Sequence, residues 1–245
     1  SVKIDGANLG SALAGSIAAT RLSANTTAGF SIASYTGNLT SGATVAHGLS
    51  QAPDLVIVKV LNASRNWLIG SDSLTGTSWE KYLYFTTAAE GDDSSMWNDA
   101  APTSSVFTLG NNTDINGSSD TYIAYCFHSV EGYSKVGSYE GNGVDNGGPF
   151  VYTGFEPAMT IIKSIDQARE WWIMDNKRDP YNDNGVQVLW LDTNDAEGDN
   201  YTNYDLDYLS NGFKVMGDNT KVNESGQTYL FYSVAASPFK TANAR

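Results

Sequence analysis

Polar and apolar positions alternate with period two along much of the chain, as in strands that bury one face. The alternation is clearest over residues 121–130, TYIAYCFHSV, and again over 228–237, TYLFYSVAAS, where Tyr229 follows Tyr122 by 107 residues. Ile123, Tyr125 and Phe127 share one face of the first copy, and Leu230, Tyr232 and Val234 share one face of the second. These are the expected core faces, while the opposite faces drift from Cys126 and His128 to Ser233 and Ala235. A repeated strand with a fixed apolar face implies a repeated domain, with Tyr125 and Tyr232 in equivalent buried places.

Other segments recur in the same order. GFSIASYTGN (29–38) matches GYSKVGSYEGN (132–142), and QAPDLVIVK (51–59) matches FEPAMTIIK (155–163). Pro53 and Pro157 open their strands, where a missing N–H costs no ladder bond. RNWLI (65–69) matches REWWI (169–173), KYLYFTT (81–87) matches VQVLWLDT (186–193), and AEGD occurs at 89–92 and 196–199. SSVFTLG (104–110) pairs with SNGFKVMG (210–217). About seven short strands per repeat, punctuated by turn residues, predict an all-β fold of tandem duplicated, jelly-roll-like β-sandwiches. The expected division is a short N-terminal arm (1–28), a first repeat (29–131) and a second (132–245), with almost no linker at Glu131. One larger sandwich with pseudo-twofold symmetry is the alternative.

The arm contains SALAGSIAAT, whose small residues offer little to bury. It reads as a helix over 11–19 or as an extended segment lying on a neighbouring subunit, and in either form as an assembly element. Ser1 is small enough to follow a removed initiator methionine, which would make the chain a complete protein.

Charge narrows the partners. Fourteen Lys and Arg against 27 Asp and Glu give a net charge of −13. Such a surface argues against nucleic acid, whose binding rests on neutralised phosphates, and against an anionic membrane face. No apolar run approaches the ~20 residues of a membrane span, and no signal peptide opens the chain. The single cysteine, Cys126, forms no internal disulfide and reads as a small strand residue.

Candidate chemistry is sparse. The two histidines, His47 and His128, lie in no nucleophile motif. Glu90, Asp92, Asp93, Glu197, Asp199, Asp205 and Asp207 offer acids for a glycosidase pair, yet AEGD also reads as a turn. The sharpest motif is Asn112-x-Asp114-x-Asn116-Gly117 with Asp120, an oxygen spacing like that of a calcium loop. Ile123 stands where the bidentate Glu belongs, so an Asx-rich hairpin competes with calcium binding. Among the aromatics, Trp67 and Trp171 fall in equivalent strands and read as core. Trp79 and Trp97 stand in polar stretches and are the expected surface contacts for a glycan or a protein.

Several segments together carry a resemblance: GFSIASYTGN, AHGL, APDLVIVK, RNW, AAPTSSVFTLG, DTYIAYCF, GYSKVGSYEGNG, GFEPA, DLDYLSNGFK and SPFKTANAR. From about Arg21 to Arg245 the chain resembles a duplicated domain family of unassigned function from virion and tail-fibre-like proteins of marine tailed bacteriophages. The resemblance implies a virion structural protein of tail-fibre, appendage or capsid-decoration type, with no catalysis. It would be assembled in the host cytoplasm and carried on the extracellular particle. Its partners would be other virion proteins, copies of itself (a trimer being the expected form) and a host-surface glycan, with no resident cofactor other than calcium. A carbohydrate-binding module and a paired-acid glycoside hydrolase are the rival readings.

Overall fold

The computed structural model describes residues 1–9, 13, 15–76, 79–180, 182, 186–201 and 205–239. It is an all-β chain that divides into two compact units. Unit 1 comprises Ser1–Phe85 with Glu90–Ser129, and unit 2 comprises Thr86–Ala89 with Val130–Arg245. The boundary falls two residues before the one expected from sequence, and the short Thr86–Ala89 segment groups with unit 2.

Unit 1 contains β1 (Val2–Ile4), β2 (Ala7–Asn8), β3 (Arg21–Asn25), β4 (Phe30–Thr36), β5 (Ala43–Ala46), β6 (Leu55–Val60) and β7 (Leu68–Ser71). It continues with β8 (Lys81–Tyr84), β9 (Gly91–Asp92), the helical turn α1 (Ser94–Trp97), β10 (Val106–Leu109), the turn α2 (Thr113–Asn116) and β11 (Thr121–Phe127). The large sheet runs β2-β1-β3-β4-β11-β6-β7-β8-β9, and β10 pairs β5 in a small second sheet. Tyr35, Val56, Val58 and Tyr122 of the large sheet share one core cluster with Val45, Phe107 and Leu109 of the small one. That shared core makes the unit a sandwich.

Unit 2 contains β12 (Ser134–Glu140), β13 (Phe150–Tyr152), β14 (Pro157–Ser164), β15 (Trp172–Asp175), β16 (Val186–Trp190) and β17 (Gly198–Tyr201). It ends with β18 (Leu206–Leu209), β19 (Gly212–Val215), the turn α3 (Thr220–Asn223) and β20 (Thr228–Ala235). Its sheets run β12-β20-β14-β15-β16-β17 and β13-β19-β18. The order β4-β11-β6-β7-β8-β9 in unit 1 thus has a counterpart at every strand. Neither unit is a pair of four-stranded jelly-roll sheets: β6 to β9, and β14 to β17, run as meanders within the large sheet.

The buried face of the repeated strand is mostly the reverse of the one expected; of the expected core positions only Leu230 is buried. Tyr122, Ala124 and Cys126 face the core of unit 1, and Tyr229, Phe231, Ser233 and Ala235 are buried in unit 2, whereas Tyr125 and Tyr232 are only half-buried. Both faces of these strands are apolar, so side-chain bulk does not identify the core. The outer residues find lateral cover instead: Phe127 lies 4.8 Å from Phe30, and Tyr125 stacks 6.2 Å from Trp67.

The arm is also not what its composition suggests. β1 and β3 extend the large sheet of their own unit, β1 running parallel to β3, and Ile17 bridges to Val45 on the small sheet. Val2, Ile17, Ala19, Leu22 and Ala24 enter the core of unit 1. Small residues suffice because the sheet supplies backbone partners and only every second side chain needs cover. Of the segment whose sequence also suits a helix (11–19), residues 11, 12 and 14 lie outside the described residues. Leu22→Ala is expected to lower unfolding stability by about 2–5 kcal/mol, as a buried leucine does. Chemical denaturation measures this, and a loss under ~0.5 kcal/mol would mean that the arm is not part of the core.

Candidate functional site

The four residues of the calcium-like motif are placed on and beside one helical turn, but their oxygens are turned to other tasks. Asn112 caps α2, its side chain accepting from Asp114 N–H at 2.9 Å. Asp114 Oδ2 accepts from Tyr84 OH at 2.8 Å, and Asp120 receives Arg65 Nη2 at 3.4 Å and Asn62 Nδ2 at 3.3 Å. Asn116 is fully buried. Its Nδ2 donates to Gly110 O at 2.8 Å and Thr40 O at 3.0 Å, while its Oδ1 accepts from Asn38 N–H at 2.9 Å. In the structure the oxygens of Asn112, Asp114, Asn116 and Asp120 are each engaged by groups of the chain itself.

What the motif builds is a polar centre, and unit 2 repeats it. Asn223 Nδ2 donates to Gly217 O at 2.8 Å, and its Oδ1 accepts from Asn142 N–H at 2.9 Å. Tyr122 OH donates to Thr113 O at 2.6 Å and accepts from Gly117 N–H at 2.7 Å; Tyr229 OH donates to Thr220 O at 2.6 Å and accepts from Glu224 N–H at 2.8 Å. Tyr35 and Tyr139 reach Ile115 O and Val222 O at 2.7 and 2.8 Å. Each pair stacks, Tyr35 on Tyr122 at 5.0 Å and Tyr139 on Tyr229 at 5.1 Å. Burial raises the hydroxyl pKa values of these tyrosines, so the groups stay protonated donors. A shift of 107 residues aligns Asn112 with Asn219, Asn116 with Asn223 and Tyr122 with Tyr229. The same shift puts Lys221 opposite Asp114, a signal in the sequence that the asparagines and not the acid are shared.

Trp79 and Trp97 are corrected. Both are buried in the core of unit 1, packed edge to face at 5.4 Å and 85°. Gly70 on β7 makes their room, since a Cβ there would come within 2.5 Å of both indoles. The exposed indole is Trp67, read from sequence as core: Leu68 takes the inward position and Trp67 the outer face. Phe85 meets it edge-on at 6.1 Å, and Lys59 Nζ lies 6.0 Å from its ring centre. Trp171 is buried.

Six of the remaining candidates have partners of their own within the chain. His47 Nδ1 accepts from Leu49 N–H at 3.1 Å, so Nε2 is the donor to Thr103 O at 3.0 Å, and burial lowers its pKa. His128 Nδ1 meets Ser129 O at 2.9 Å. Glu90 accepts from Thr75, Asp92 pairs with Lys81 at 2.9 Å, Asp93 caps α1, and Glu197 pairs with Arg178 at 3.2 Å. The side chain of Asp199 lies outside the described residues. Among the described residues no three His, Cys, Asp or Glu side chains group as a metal site would.

One residue type went unremarked in the sequence. Lys163 is fully buried on β14, and its Nζ donates to the carbonyls of Arg169 (2.8 Å), Thr87 (3.3 Å) and Gln167 (3.5 Å). Its counterpart Lys59 donates to Arg65 O. Each neighbouring arginine then pairs with an acid, Arg65 with Asp120 at 3.4 Å and Arg169 with Glu224 at 3.5 Å. Burial pulls the Lys163 ammonium down from 10.5 to about 8, against the opposing pull of Asp192 and Glu170.

Residues 4–238 match a family described as a domain of unknown function (DUF7483). The chain belongs to that family. The DUF7483 match takes in the arm from the end of β1 together with both units, so the family's unit is the double sandwich and not a single repeat. No curated protein and no solved structure matches the chain. Among the described residues no helix is long and apolar enough to cross a membrane.

Three outcomes test these assignments. Asn116→Ala and Asn223→Ala are each expected to cost about 3 kcal/mol, because each strands buried backbone groups. Added calcium should leave the wild-type melting temperature unchanged, and a calcium-dependent rise lost in Asp114→Asn would restore the calcium loop. For Lys163, the unfolded state holds its proton up to pH 10.5 and the folded state only to about 8. Stability is therefore expected to rise with pH between those values, relative to Lys163→Met measured in the same buffers. Parallel curves for the two proteins would refute it.

Proposed function

We propose that this DUF7483 chain is a structural protein of a tailed-bacteriophage particle, working by assembly with other virion proteins and with copies of itself. One observation carries the reading: in both units the polar groups that look like chemistry hold the chain's own backbone. Asn116 with Tyr122, and Asn223 with Tyr229, serve as struts. A protein built this way offers surface and rigidity in place of a reaction centre. The resemblance to virion and tail-fibre-like proteins supports the particle. The matched strand orders and the two polar centres support an internal duplication.

A second reading has its own observation. Trp67, 38 % exposed, stacks parallel to Tyr125 beside Lys59, a flat aromatic surface of the sort that a host-surface sugar ring packs on. Mass spectrometry of gradient-purified particles tests the first reading. The chain is expected at a fixed copy number relative to the major capsid protein, resistant to high-salt washing. Its presence only in the soluble lysate fraction would overturn that reading. Glycan-array binding abolished by Trp67→Ala would then favour the second.

A further inference from the structure

The small sheets of the two units end differently. In unit 1 the arm closes the free edge of β5. Ile17 runs parallel to Val45, and its N–H donates to Thr44 O at 2.9 Å. Ser16 N–H donates to Thr44 Oγ1 at 3.0 Å, and Thr44 N–H donates to Ser16 Oγ at 2.7 Å. Gly15 allows this closeness, since a Cβ there would lie 3.0 Å from Thr44 O.

β13 is the counterpart of β5, with Val151 opposite Phe213 as Val45 is opposite Phe107. Val215 N–H donates to Pro149 O at 3.0 Å and Thr153 N–H to Asn211 O at 3.1 Å. Antiparallel bonding alternates, so Pro149, Val151 and Thr153 turn their backbone groups to β19. Phe150 and Tyr152 turn theirs the other way, as Thr44 does in unit 1. Among the described residues no strand lies on that side of β13. The aromatic side chains there are the ones left open, Phe150 at 47 % and Tyr152 at 61 % exposure. Lys135 Nζ stands 5.9 Å from the Tyr152 ring centre and makes no ion pair among the described residues.

We propose that the β13 edge accepts an extended, acidic strand from a partner polypeptide, entering parallel to β13 as the arm enters alongside β5. The arm shows what fits: a small hydroxyl residue whose backbone and side chain meet the outward-facing edge, followed by a β-branched residue packed inward. The unpaired charge of Lys135 adds the third requirement, a carboxylate on the incoming strand. Strand addition of this kind draws affinity from main-chain bonds and specificity from the side chains between them. The proposal deepens the assembly reading by naming the form of the contact. A chain found in particles but inert as a strand acceptor would leave that reading standing and end this one.

The test uses the full chain, labelled with nitrogen-15, and three probes. These are an acetylated peptide copying residues 16–20 (Ser-Ile-Ala-Ala-Thr) with a C-terminal Asp added, its Asn twin, and an oligoglucuronate as the sugar control. The Asp peptide is expected to shift the amide signals of Phe150 and Tyr152. Lys135→Glu should weaken it about fivefold and leave the Asn twin unchanged, as loss and reversal of one surface charge would. Tyr152→Pro should abolish binding of both peptides, because it removes an outward N–H without breaking a bond to β19. Dispersed amide spectra of both variants control for folding. Silence at β13 at millimolar peptide overturns the proposal, as do shifts confined to β5. Binding of the oligoglucuronate alone, lost in Tyr152→Ala, overturns it in favour of a sugar site.

Discussion

Everything in each sandwich hangs on one constraint, the need to satisfy backbone groups where the chain crosses from the small sheet back to the large one. The crossing is made by a single helical turn, α2 or α3, too short to bond its own carbonyls. The side chains of a buried asparagine and two tyrosines replace the missing partners. Asn116 ties its own turn to the distant segment at Asn38 and Thr40 and to nearby Gly110, and Asn223 holds Asn142, Val144 and Gly217 in the same manner. An unpaired group at such depth costs about 1–3 kcal/mol, so the asparagine cannot be exchanged for an apolar residue of the same size. The polar centre fixes where the last strand starts, and that strand lies centrally in the large sheet between β4 and β6, or between β12 and β14.

This explains why strands were legible in the sequence and site residues were not. Period-two alternation and the repeat located β4, β6, β7, β8, β10 and β11 with their unit-2 counterparts, but missed β5, β13 and β18 and read the segments of β9 and β17 as turns. The inward face was misread because Ile123, Tyr125 and Phe127 are larger than Ala124 and Cys126, the residues that are buried. The calcium-like spacing is ambiguous for a related reason. An Asx residue that caps a helical turn and an Asx residue that ligates a cation both present a side-chain oxygen at the start of a tight turn. Only tertiary partners such as Tyr84 and Arg65 separate the two uses. Trp79 and Trp97 sit in polar sequence yet meet over Gly70, a contact that no local pattern announces.

The lysines show how the two units differ within matched strand orders. Lys59 and Lys163 occupy the same rung of the sheet, opposite Ile123 and Leu230, and both hold the carbonyl of the arginine that follows. In unit 2 the lysine is sealed from solvent and acquires two further carbonyls, one from the Thr86–Ala89 segment. A desolvated ammonium is costly, and three carbonyl acceptors are the means by which the fold tolerates it. The same position thus serves as a half-exposed brace in one unit and a buried clamp in the other.

The arm gives the clearest case of context overriding composition. By its residues it has little to bury, and an isolated segment of that kind would not offset its ordering cost of ~1–2 kcal/mol per residue. Placed against a preformed sheet edge, it needs only backbone pairing and an occasional Val2, Ile17 or Leu22 turned inward. The large sheet of unit 1 gains three strands in this way, and the edge of β5 is closed in the same pass. In unit 2 the chain passes from β11 to β12 through a short turn, leaving no comparable segment to spare. The asymmetry between two otherwise matched sandwiches therefore follows from connectivity. An edge that one unit closes in cis is left, in the other, for the sequence to blunt with a lysine and two aromatics or for another chain to complete.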